Sequence, residues 1–253
     1  MTLRTRLRSA RTLLGLRHAP LPPEGLLRDV PVSVAIIMDG NARWARKRRL
    51  PVAAGHRAGA KALKRVVRAA SDAGVEDLTV FSFSTENWGR PADEVADLMG
   101  LFCELIDRET PELHAERVRM RFVGRTAELG EDLRARIAWA EGLTGDNAGM
   151  RLYVAMNYGG RREIVDAARR FVAEAAPEDG EEHFGAYLYD PELRDPELVI
   201  RTSGEQRLSN FLLWQAAYAE LYFSDKLWPD FTPEDLHAAL AHYAGCQRRF
   251  GAR

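Results

Sequence analysis

The sequence contains few cysteines and no long apolar run. Cys103 and Cys246 are its 2 cysteines in 253 residues, which excludes a disulfide framework and a cysteine-based zinc site. We expect both to be free thiols, as in a reducing cytosol. No apolar run reaches the length of a membrane span, and the first residues lack the continuous apolar core of a signal peptide. The sequence therefore predicts a soluble, cytoplasmic protein.

The chain also lacks an excess of charge of one sign. Lys and Arg number 36 and Asp and Glu number 37, so the net charge of −1 favours no nucleic-acid partner. The exception is the N-terminal segment, where residues 1–19 carry arginines but no acid. These arginines are Arg4, Arg6, Arg8, Arg11 and Arg17. Leucines lie between them, so the segment is either a weak amphipathic helix in peripheral contact with a membrane or a disordered basic tail.

Several common phosphate-binding and hydrolytic motifs are missing. The sequence has no Gly-x-x-x-x-Gly-Lys-Ser/Thr loop, no Gly-x-Gly-x-x-Gly, no Gly-x-Ser-x-Gly and no His-Glu-x-x-His. Any phosphate chemistry must therefore depend on another arrangement of residues.

Strand-like and helix-like segments alternate along the body of the chain. Prolines separate a basic segment, residues 1–31, from the body, residues 32–253. Buried strands are expected at Val32–Met38, Leu78–Phe83, Val118–Val123, Leu152–Met156, Leu198–Ile200 and Leu221–Phe223. Helices are expected at Arg57–Ala73, Ala92–Leu113, Leu129–Leu143 and Arg162–Ala175, with a last one opening at Thr232-Pro233. The alternation predicts a single α/β domain with a mostly parallel central sheet flanked by helices.

A polar cluster follows the first predicted strand, in the segment Asp39-Gly40-Asn41-Ala42-Arg43-Trp44. Ligands of open α/β sheets bind at the carboxyl ends of strands. Asp39 is a hard oxygen ligand suited to Mg²⁺, and Arg43 offers a planar fork for phosphate. Gly40 permits close backbone approach, and a helix that begins there would direct free N–H groups at an anion. Taken alone, the segment fits equally well a helix cap at Asp39 and a surface charge at Arg43.

A second cluster follows the second predicted strand. Ser84, Asn87 and Arg90 can donate hydrogen bonds to phosphate, and Trp88 can pack against an apolar ligand. The alternative is an ordinary loop with Pro91 at the first helical position. That alternative explains the backbone but not the concentration of polar side chains.

A third cluster, residues 201–210, follows the fifth predicted strand. It places two arginines and hydroxyl groups around a glycine, which predicts a second anion site beside the first. His56 stands near a predicted helix start, where a histidine is more often a structural donor than a catalyst.

Five motifs in order resemble the cis-prenyltransferases, the undecaprenyl diphosphate synthase family. They are Val34–Asn41, Ser84–Trp88, Asn157–Arg161, Arg201–Glu205 and Glu220–Phe223. The resemblance runs from about Val32 to the C-terminus. It implies a homodimer of α/β subunits that uses Mg²⁺ to condense isopentenyl diphosphate with an allylic diphosphate, each new double bond being cis. The sequence lacks the Asp-Asp-x-x-Asp pattern of the unrelated all-helical trans-prenyltransferases.

The resemblance also implies roles for individual residues. Asp39 would hold Mg²⁺ on the diphosphate with help from Glu220. The allylic phosphates would be bound by Gly40, Asn41, Arg43 and His56, and isopentenyl diphosphate by Arg201, Arg207 and Ser209. The expected substrate-binding set is completed by Trp44, Ser84, Thr85, Glu86, Trp88 and Arg90.

Two further roles depend on the same resemblance. The family's asparagine, here Asn87, is often assigned to proton removal, but an amide is a poor base. We therefore interpret Asn87 as orienting the substrate while a phosphate oxygen takes the proton. Arg249 and Gly251 match an Arg-x-Gly tail that, in this family, reaches into the partner's active site.

The chain departs from the commonest family pattern at three positions. Val52 stands where an arginine usually contacts the diphosphate, Gln206 replaces a histidine, and Ala42 takes the place of a glycine or another residue. The loss of a cation at Val52 predicts altered affinity or choice of allylic substrate.

Product length is the property that the sequence predicts least well. Small Ser82 would leave room in an apolar tunnel, and Met150 is expected in its floor, which favours a medium or long product. The alternatives are a short-chain cis-farnesyl-type synthase, a non-catalytic activating subunit of the same fold and an unrelated phosphate-binding hydrolase.

Overall fold

The computed structural model describes residues 29–176 and 179–246. The basic segment that was predicted to be an amphipathic helix or a tail lies almost wholly outside the described residues. Arg249 and Gly251, the predicted dimer-spanning tail, lie outside them as well.

Within the described residues, six strands form one sheet in which every pair is parallel. The strands are β1 (Ser33–Ile37), β2 (Asp77–Ser84), β3 (Arg119–Val123), β4 (Arg151–Tyr158), β5 (Leu198–Arg201) and β6 (Glu220–Phe223). Their order across the sheet is β3-β4-β2-β1-β5-β6. β1 and β5 are buried along their whole length because chain covers both faces of the sheet there. The predicted α/β fold and all six predicted strands are confirmed.

Seven α-helices occur in the described ranges, and they include the five that the sequence predicts. They are α1 (Asn41–Lys47), α2 (Val52–Ala73), α3 (Ala92–Ala115), α4 (Glu131–Thr144), α5 (Gly160–Glu174), α6 (Glu181–Phe184) and α7 (Pro233–Gly245). Short 3₁₀ helices lie at Thr85–Gly89, Thr126–Glu128, Gly185–Tyr187 and Trp228–Asp230. As predicted, Thr232 caps α7 by accepting a hydrogen bond from the Asp235 N–H.

Helix α2 begins at Val52, earlier than the predicted Arg57, and the reason is tertiary packing. Gly55 and Gly59 weaken the helical pattern of its first turns. They are needed because α1 crosses α2 closely: a Cβ at Gly55 would lie 2.2 Å from the Asn41 carbonyl oxygen, and one at Gly59 would lie 2.2 Å from the Asn41 side-chain oxygen. The two glycines therefore allow α1 to pack closely against α2.

The two faces of the sheet are covered by different parts of the chain. Val34 and Ile36 belong to a core with residues of α2, α3, α4 and α7. Ala35 and Ile37 belong to a second core with Phe211 and Leu212, which follow β5. The chain thus leaves neighbouring strands β1 and β5 toward opposite faces, which opens a crevice at their carboxyl ends.

No helix within the described ranges has the length and apolarity needed to cross a membrane. Cys103 and Cys246 are both free thiols, as predicted.

Candidate active site

The crevice between β1 and β5 brings the first and third polar clusters into direct contact. Asp39 lies two residues beyond β1, and Arg201 is the last residue of β5. The Arg201 guanidinium donates from Nη2 to Asp39 Oδ2 at 2.9 Å, and Arg43 Nη2 lies 3.2 Å from Asp39 Oδ1. One carboxylate is therefore held between two guanidinium groups, as the paired clusters predict.

The backbone around Asp39 is fixed by hydrogen bonds from neighbouring loops. The Thr202 hydroxyl donates to the Asp39 carbonyl at 2.7 Å and accepts from its N–H at 3.0 Å. The Trp228 N–H also donates to that carbonyl, at 3.0 Å. Gly40 follows at φ 110°, and a Cβ there would lie 2.9 Å from the Leu227 side chain. Glycine is thus required both by the left-handed backbone and by the close approach of Leu227.

Arg201 is a buried cation with hydrogen-bonding capacity left over. Its side chain is 4% exposed, and its Nη1 donates at 2.6 Å to both the Arg207 carbonyl and Ser209 Oγ. Its Nε has no partner. A buried guanidinium needs nearby negative charge, and the partly buried Asp39 carboxylate supplies it here. Arg201, Arg207 and Ser209 are therefore brought together as predicted.

The same geometry keeps Asp39 ionised. Burial acts to raise the pKa of Asp39, but the hydrogen bond from Arg201 and the charges of Arg43 and Arg201 outweigh it. The pKa of Asp39 therefore lies below its ordinary value. At neutral pH the site holds a carboxylate that can bind a cation.

Glu205 is an acid in the third cluster that holds both exposed arginines. Arg43 Nη1 lies 3.2 Å from Glu205 Oε1, and Arg207 Nη1 lies 2.5 Å from Glu205 Oε2. Arg43 also donates to the Ser203 carbonyl at 3.3 Å. Before an anion binds, these contacts keep the two arginines at the edge of the crevice.

The second cluster faces Asp39 across a polar cleft. The cleft is lined by, among others, Asp39, Asn41, His56, Ser84, Asn87 and Arg90. The structure thus gathers residues from β1, α1, α2 and the segment after β2. Burial and the positive charge of Arg90 lower the pKa of His56, and its Nε2 is buried without a partner. His56 is therefore neutral at pH 7, with a ring nitrogen available to a ligand.

Asn87 occupies a defined orientation in this cleft. Its Oδ1 accepts a hydrogen bond from the Ser84 N–H at 2.9 Å, as part of a reciprocal cap on the 3₁₀ helix at Thr85–Gly89. The amide oxygen is thus engaged by the backbone, which leaves its Nδ2 as the donor that can serve a ligand.

Four predicted substrate-binding residues, Trp44, Thr85, Glu86 and Trp88, lie neither on this cleft nor among the residues around Asp39 and Arg201. Trp44 Nε1 donates to Asp230 at 2.7 Å, and its ring lies under Arg48. Trp88 Nε1 donates to Asn157 at 2.8 Å. Thr85 donates to Glu86, which accepts from Asn210 at 2.8 Å. The hydrogen bond between Glu86 and Asn210 ties the segment after β2 to the loop after β5. No local sequence pattern predicts this role of Asn210.

Glu220 is not placed beside Asp39 within this chain, so the structure does not bring the two predicted metal ligands together. Glu220 opens β6 and is level with Leu198, whereas Asp39 lies beyond Ile37, which is level with Arg201. Three residues along a strand correspond to about 10 Å. Glu220 therefore lies toward the amino edge of the sheet, where it interacts with Cys246. The site at Asp39 lies at the opposite, carboxyl edge, so the first residue of β6 does not reach it.

An apolar cavity continues from the polar cleft between α2, α3 and the sheet. Met38, Asn41, His56, Ser82 and Leu98 line both spaces. Deeper in, the lining is mostly aliphatic and aromatic, from Leu63, Leu101, Phe102, Ile106, Phe122 and Val154. The predicted place of Ser82 on the wall is confirmed.

Two lining residues of the cavity differ from expectation. Met150 is buried in the core but does not line the cavity, so its predicted place in the floor is wrong; it stands one residue before β4. Trp228 does line the cavity, and its Nε1 donates to the Gly59 carbonyl at 2.9 Å. Trp228 begins the 3₁₀ helix Trp228–Asp230, and its contact with the cavity depends on tertiary packing, so the sequence pattern could not identify it.

The residues at the crevice fit a metal ion that arrives with a phosphate ligand. Within the described ranges, no group of three or more His, Cys, Asp or Glu side chains could hold a metal ion. Mg²⁺ commonly binds through one or two carboxylates together with substrate phosphates and water. Ionised Asp39 at the mouth of the cleft matches that mode, and no cage made wholly of protein ligands is needed.

Comparison with known proteins agrees with this geometry. The family model described as "Putative undecaprenyl diphosphate synthase" matches residues 37–251. Isoprenyl transferase from Thermotoga maritima is 51% identical over 226 residues, which cover 88% of this chain and 97% of that protein. Isoprenyl transferase 2 from Bradyrhizobium diazoefficiens is 50% identical over 229 residues, covering 88% of this chain and 91% of that protein.

A solved structure shows the same fold. Lavandulyl diphosphate synthase from Lavandula x intermedia, in complex with dimethylallyl diphosphate, matches with a TM-score of 0.85 and 38% identity over 88% of this chain and 98% of that one. The site geometry, the family match and these relatives together show that the chain belongs to the undecaprenyl diphosphate synthase family of prenyltransferase enzymes.

Proposed function

We propose that the chain condenses isopentenyl diphosphate with an allylic diphosphate and so elongates a cis-polyprenyl diphosphate. The observation that carries this proposal is the continuity of the polar cleft at Asp39 with the apolar cavity behind it. A diphosphate with a hydrocarbon tail has the same two-part character. The dimethylallyl diphosphate in the structurally similar lavandulyl diphosphate synthase supports the assignment of that ligand class.

The two diphosphates are assigned to the two sides of Asp39. We place the allylic diphosphate with Gly40, Asn41, Arg43 and His56, because three of these adjoin the cavity mouth or Asp39. We place isopentenyl diphosphate with Arg201, Arg207 and Ser209, which already share hydrogen bonds. Arg90, on the wall of the polar cleft, is assigned between them.

The residues of the chain would act mainly by charge and position. Mg²⁺, held by Asp39 together with the diphosphate, would stabilise the negative charge of the departing pyrophosphate. Arg43 and Arg201 would neutralise the remaining charge from fixed positions, since their hydrogen bonds already orient them. The apolar cavity would exclude water from the ionised allylic group. Holding both substrates at adjoining sites supplies the rest of the acceleration.

Asn87→Asp tests the proposed orienting role of the amide. The aspartate keeps the oxygen that accepts from the Ser84 N–H, but it replaces the Nδ2 donor by negative charge facing the diphosphates. We expect kcat to fall by about 10²-fold, with an unchanged melting temperature. Steady-state kinetics with both substrates would measure this, and full activity would exclude an orienting amide.

The homodimer and its C-terminal tail remain part of the proposal. We expect removal of residues 249–253 to lower turnover while leaving the melting temperature unchanged, because Arg249 and Gly251 would act in the partner's site. Mixing this truncated chain with Asp39→Asn chains should restore part of the activity, since one mixed dimer then has one complete site. Unchanged kinetics after truncation would remove the idea.

A medium or long product is favoured over a short-chain cis-farnesyl-type product. Small Ser82 leaves the passage from cleft to cavity open. Val52 and His56 line the same depression beside the cleft. The absence of an arginine at position 52 would therefore affect binding of the allylic substrate.

We place the enzyme in the cytoplasm, with peripheral membrane contact through the basic segment, residues 1–31.

The purified chain should therefore be incubated with labelled isopentenyl diphosphate, Mg²⁺ and allylic diphosphates of several lengths, and the products sized by chromatography. We expect labelled hydrocarbon diphosphates only when both substrates are present. Phosphate release from isopentenyl diphosphate alone would identify a hydrolase. Activity that appears only after another subunit is added would identify a non-catalytic subunit.

A further inference from the structure

Charged side chains interrupt the apolar lining of the cavity near its deep end. At the mouth the lining includes Asn41 and His56. About one helical turn before the last lining residues of α2 and α3, Val67 and Leu113, it includes Lys64 and Glu109. Lys64 Nζ lies 2.9 Å from Glu109 Oε2, so the two residues form an ion pair between the helices. Both side chains are about three-quarters buried or more, at 27% and 20% exposure.

The pair lies far from the polar cleft. Eight residues of α2 separate Lys64 from His56, and eleven residues of α3 separate Glu109 from Leu98 at the mouth. At a rise of 1.5 Å per residue, these separations correspond to about 12 Å and about 16 Å. A hydrocarbon chain that grows inward from the cleft reaches the ion pair only after passing most of the aliphatic lining.

The Lys64–Glu109 pair belongs to a row of ion pairs that join α2 to α3. Lys64 also lies 2.5 Å from Glu112, and Arg68 lies 3.2 Å from Glu112 and 2.6 Å from Glu116. Hydrogen bonds from Lys64 and Arg108 overcome the effect of burial and lower the pKa of Glu109, so the pair is ionised at neutral pH.

The backbone hydrogen bonding of α3 is interrupted near these ion pairs. Pro111 lies inside the helix and cannot donate a hydrogen bond to the Asp107 carbonyl. The last turns of α3 therefore depend more on side-chain contacts with α2 than an unbroken helix would. Removing those contacts should let the wall yield locally.

We propose that the Lys64–Glu109 ion pair, in the wall near the deep end of the cavity, limits the length of the prenyl product. This inference rests on the proposed elongation function and adds a determinant of chain length to it. A growing chain that reaches the pair must either strip water from two charges or push them apart, and both cost free energy that further apolar burial does not offset. Elongation then becomes slower than release of the product.

The double variant Lys64→Met/Glu109→Leu tests the proposal by replacing the ion pair with apolar side chains. We expect its main product to be at least one isoprene unit longer than that of the parent, under identical substrate ratios. The single variant Lys64→Met should shift the distribution in the same direction and serves if the double variant does not fold. Lys64→Arg, which keeps the charge, should retain the parental product.

The matched control is Arg136→Met/Asp107→Leu. This pair joins α3 to α4 at 2.8 Å and does not line the cavity. We expect the control to keep the parental product length. An unchanged product length in folded Lys64 and Glu109 variants, or an equal shift in the control, would overturn the inference. An inactive parent would overturn it together with the proposed function, whereas an active parent with unmoved products would overturn the inference alone.

Discussion

Asp39→Asn is expected to lower kcat by about 10³-fold, or about 4 kcal/mol in the free energy of activation. The substitution keeps the shape of the side chain but removes the charge that holds Mg²⁺ on the diphosphate. It also leaves Arg201, a buried guanidinium, without its carboxylate partner. Initial rates at saturating concentrations of both substrates, over a range of Mg²⁺ concentrations, would measure the loss.

The control for this substitution is Asp107→Asn, which removes a carboxylate from the exposed Asp107–Arg136 pair between α3 and α4. We expect this control to retain parental rates at every Mg²⁺ concentration. If Asp39→Asn kept more than about a tenth of the parental rate, the stabilisation assigned to the metal would be too large. The carboxylate would then be only a structural partner of Arg43 and Arg201.

Arg201→Ala is expected to raise the KM for isopentenyl diphosphate more than the KM for the allylic substrate. The loss should correspond to roughly 2–5 kcal/mol, because it removes a buried cation from a charge-assisted contact. The asymmetry follows from the structure, since Arg201 shares hydrogen bonds with Ser209 and the Arg207 backbone on one side of Asp39. Varying each substrate at a fixed high concentration of the other would separate the two constants.

Arg151→Ala provides a matched control for the loss of an arginine ion pair. Arg151 holds buried Asp77 at 2.5 Å on the opposite, amino-terminal edge of the sheet. We expect this control to lower stability while leaving the ratio of the two KM values unchanged. Equal increases in both constants for Arg201→Ala would count against separate sites for the two diphosphates.

The elements that the sequence predicts well are those whose signal is local. The β-branched run at β1 is typical of a strand buried on both faces, and the polar residues that follow β1 and β5 mark the carboxyl edge of a parallel sheet. When β1 and β5 are neighbours in the sheet, Asp39 and Arg201 meet at its carboxyl edge, because both lie at the carboxyl ends of these strands. The contact between the first and third clusters was therefore predictable.

The features that the sequence did not predict depend on which ends and faces the fold brings together. Glu220 belongs to a matching motif, yet it opens its strand and so lies toward the other edge of the sheet. Trp44 follows the cluster at Asp39, yet the turn of α1 directs its ring to Arg48 and Asp230. Helical charges such as Lys64 and Glu109 resemble ordinary surface residues until the packing of α2 on α3 shows that they line a cavity.

The most direct test of the central claim is a crystal structure of the chain with Mg²⁺ and an unreactive thio-analogue of an allylic diphosphate. We predict that its phosphates bind beside Asp39 and Arg43 and that its hydrocarbon tail enters the cavity between α2 and α3, in contact with Leu63 and Leu98. A tail outside that cavity, or phosphates bound away from Asp39, would contradict the account.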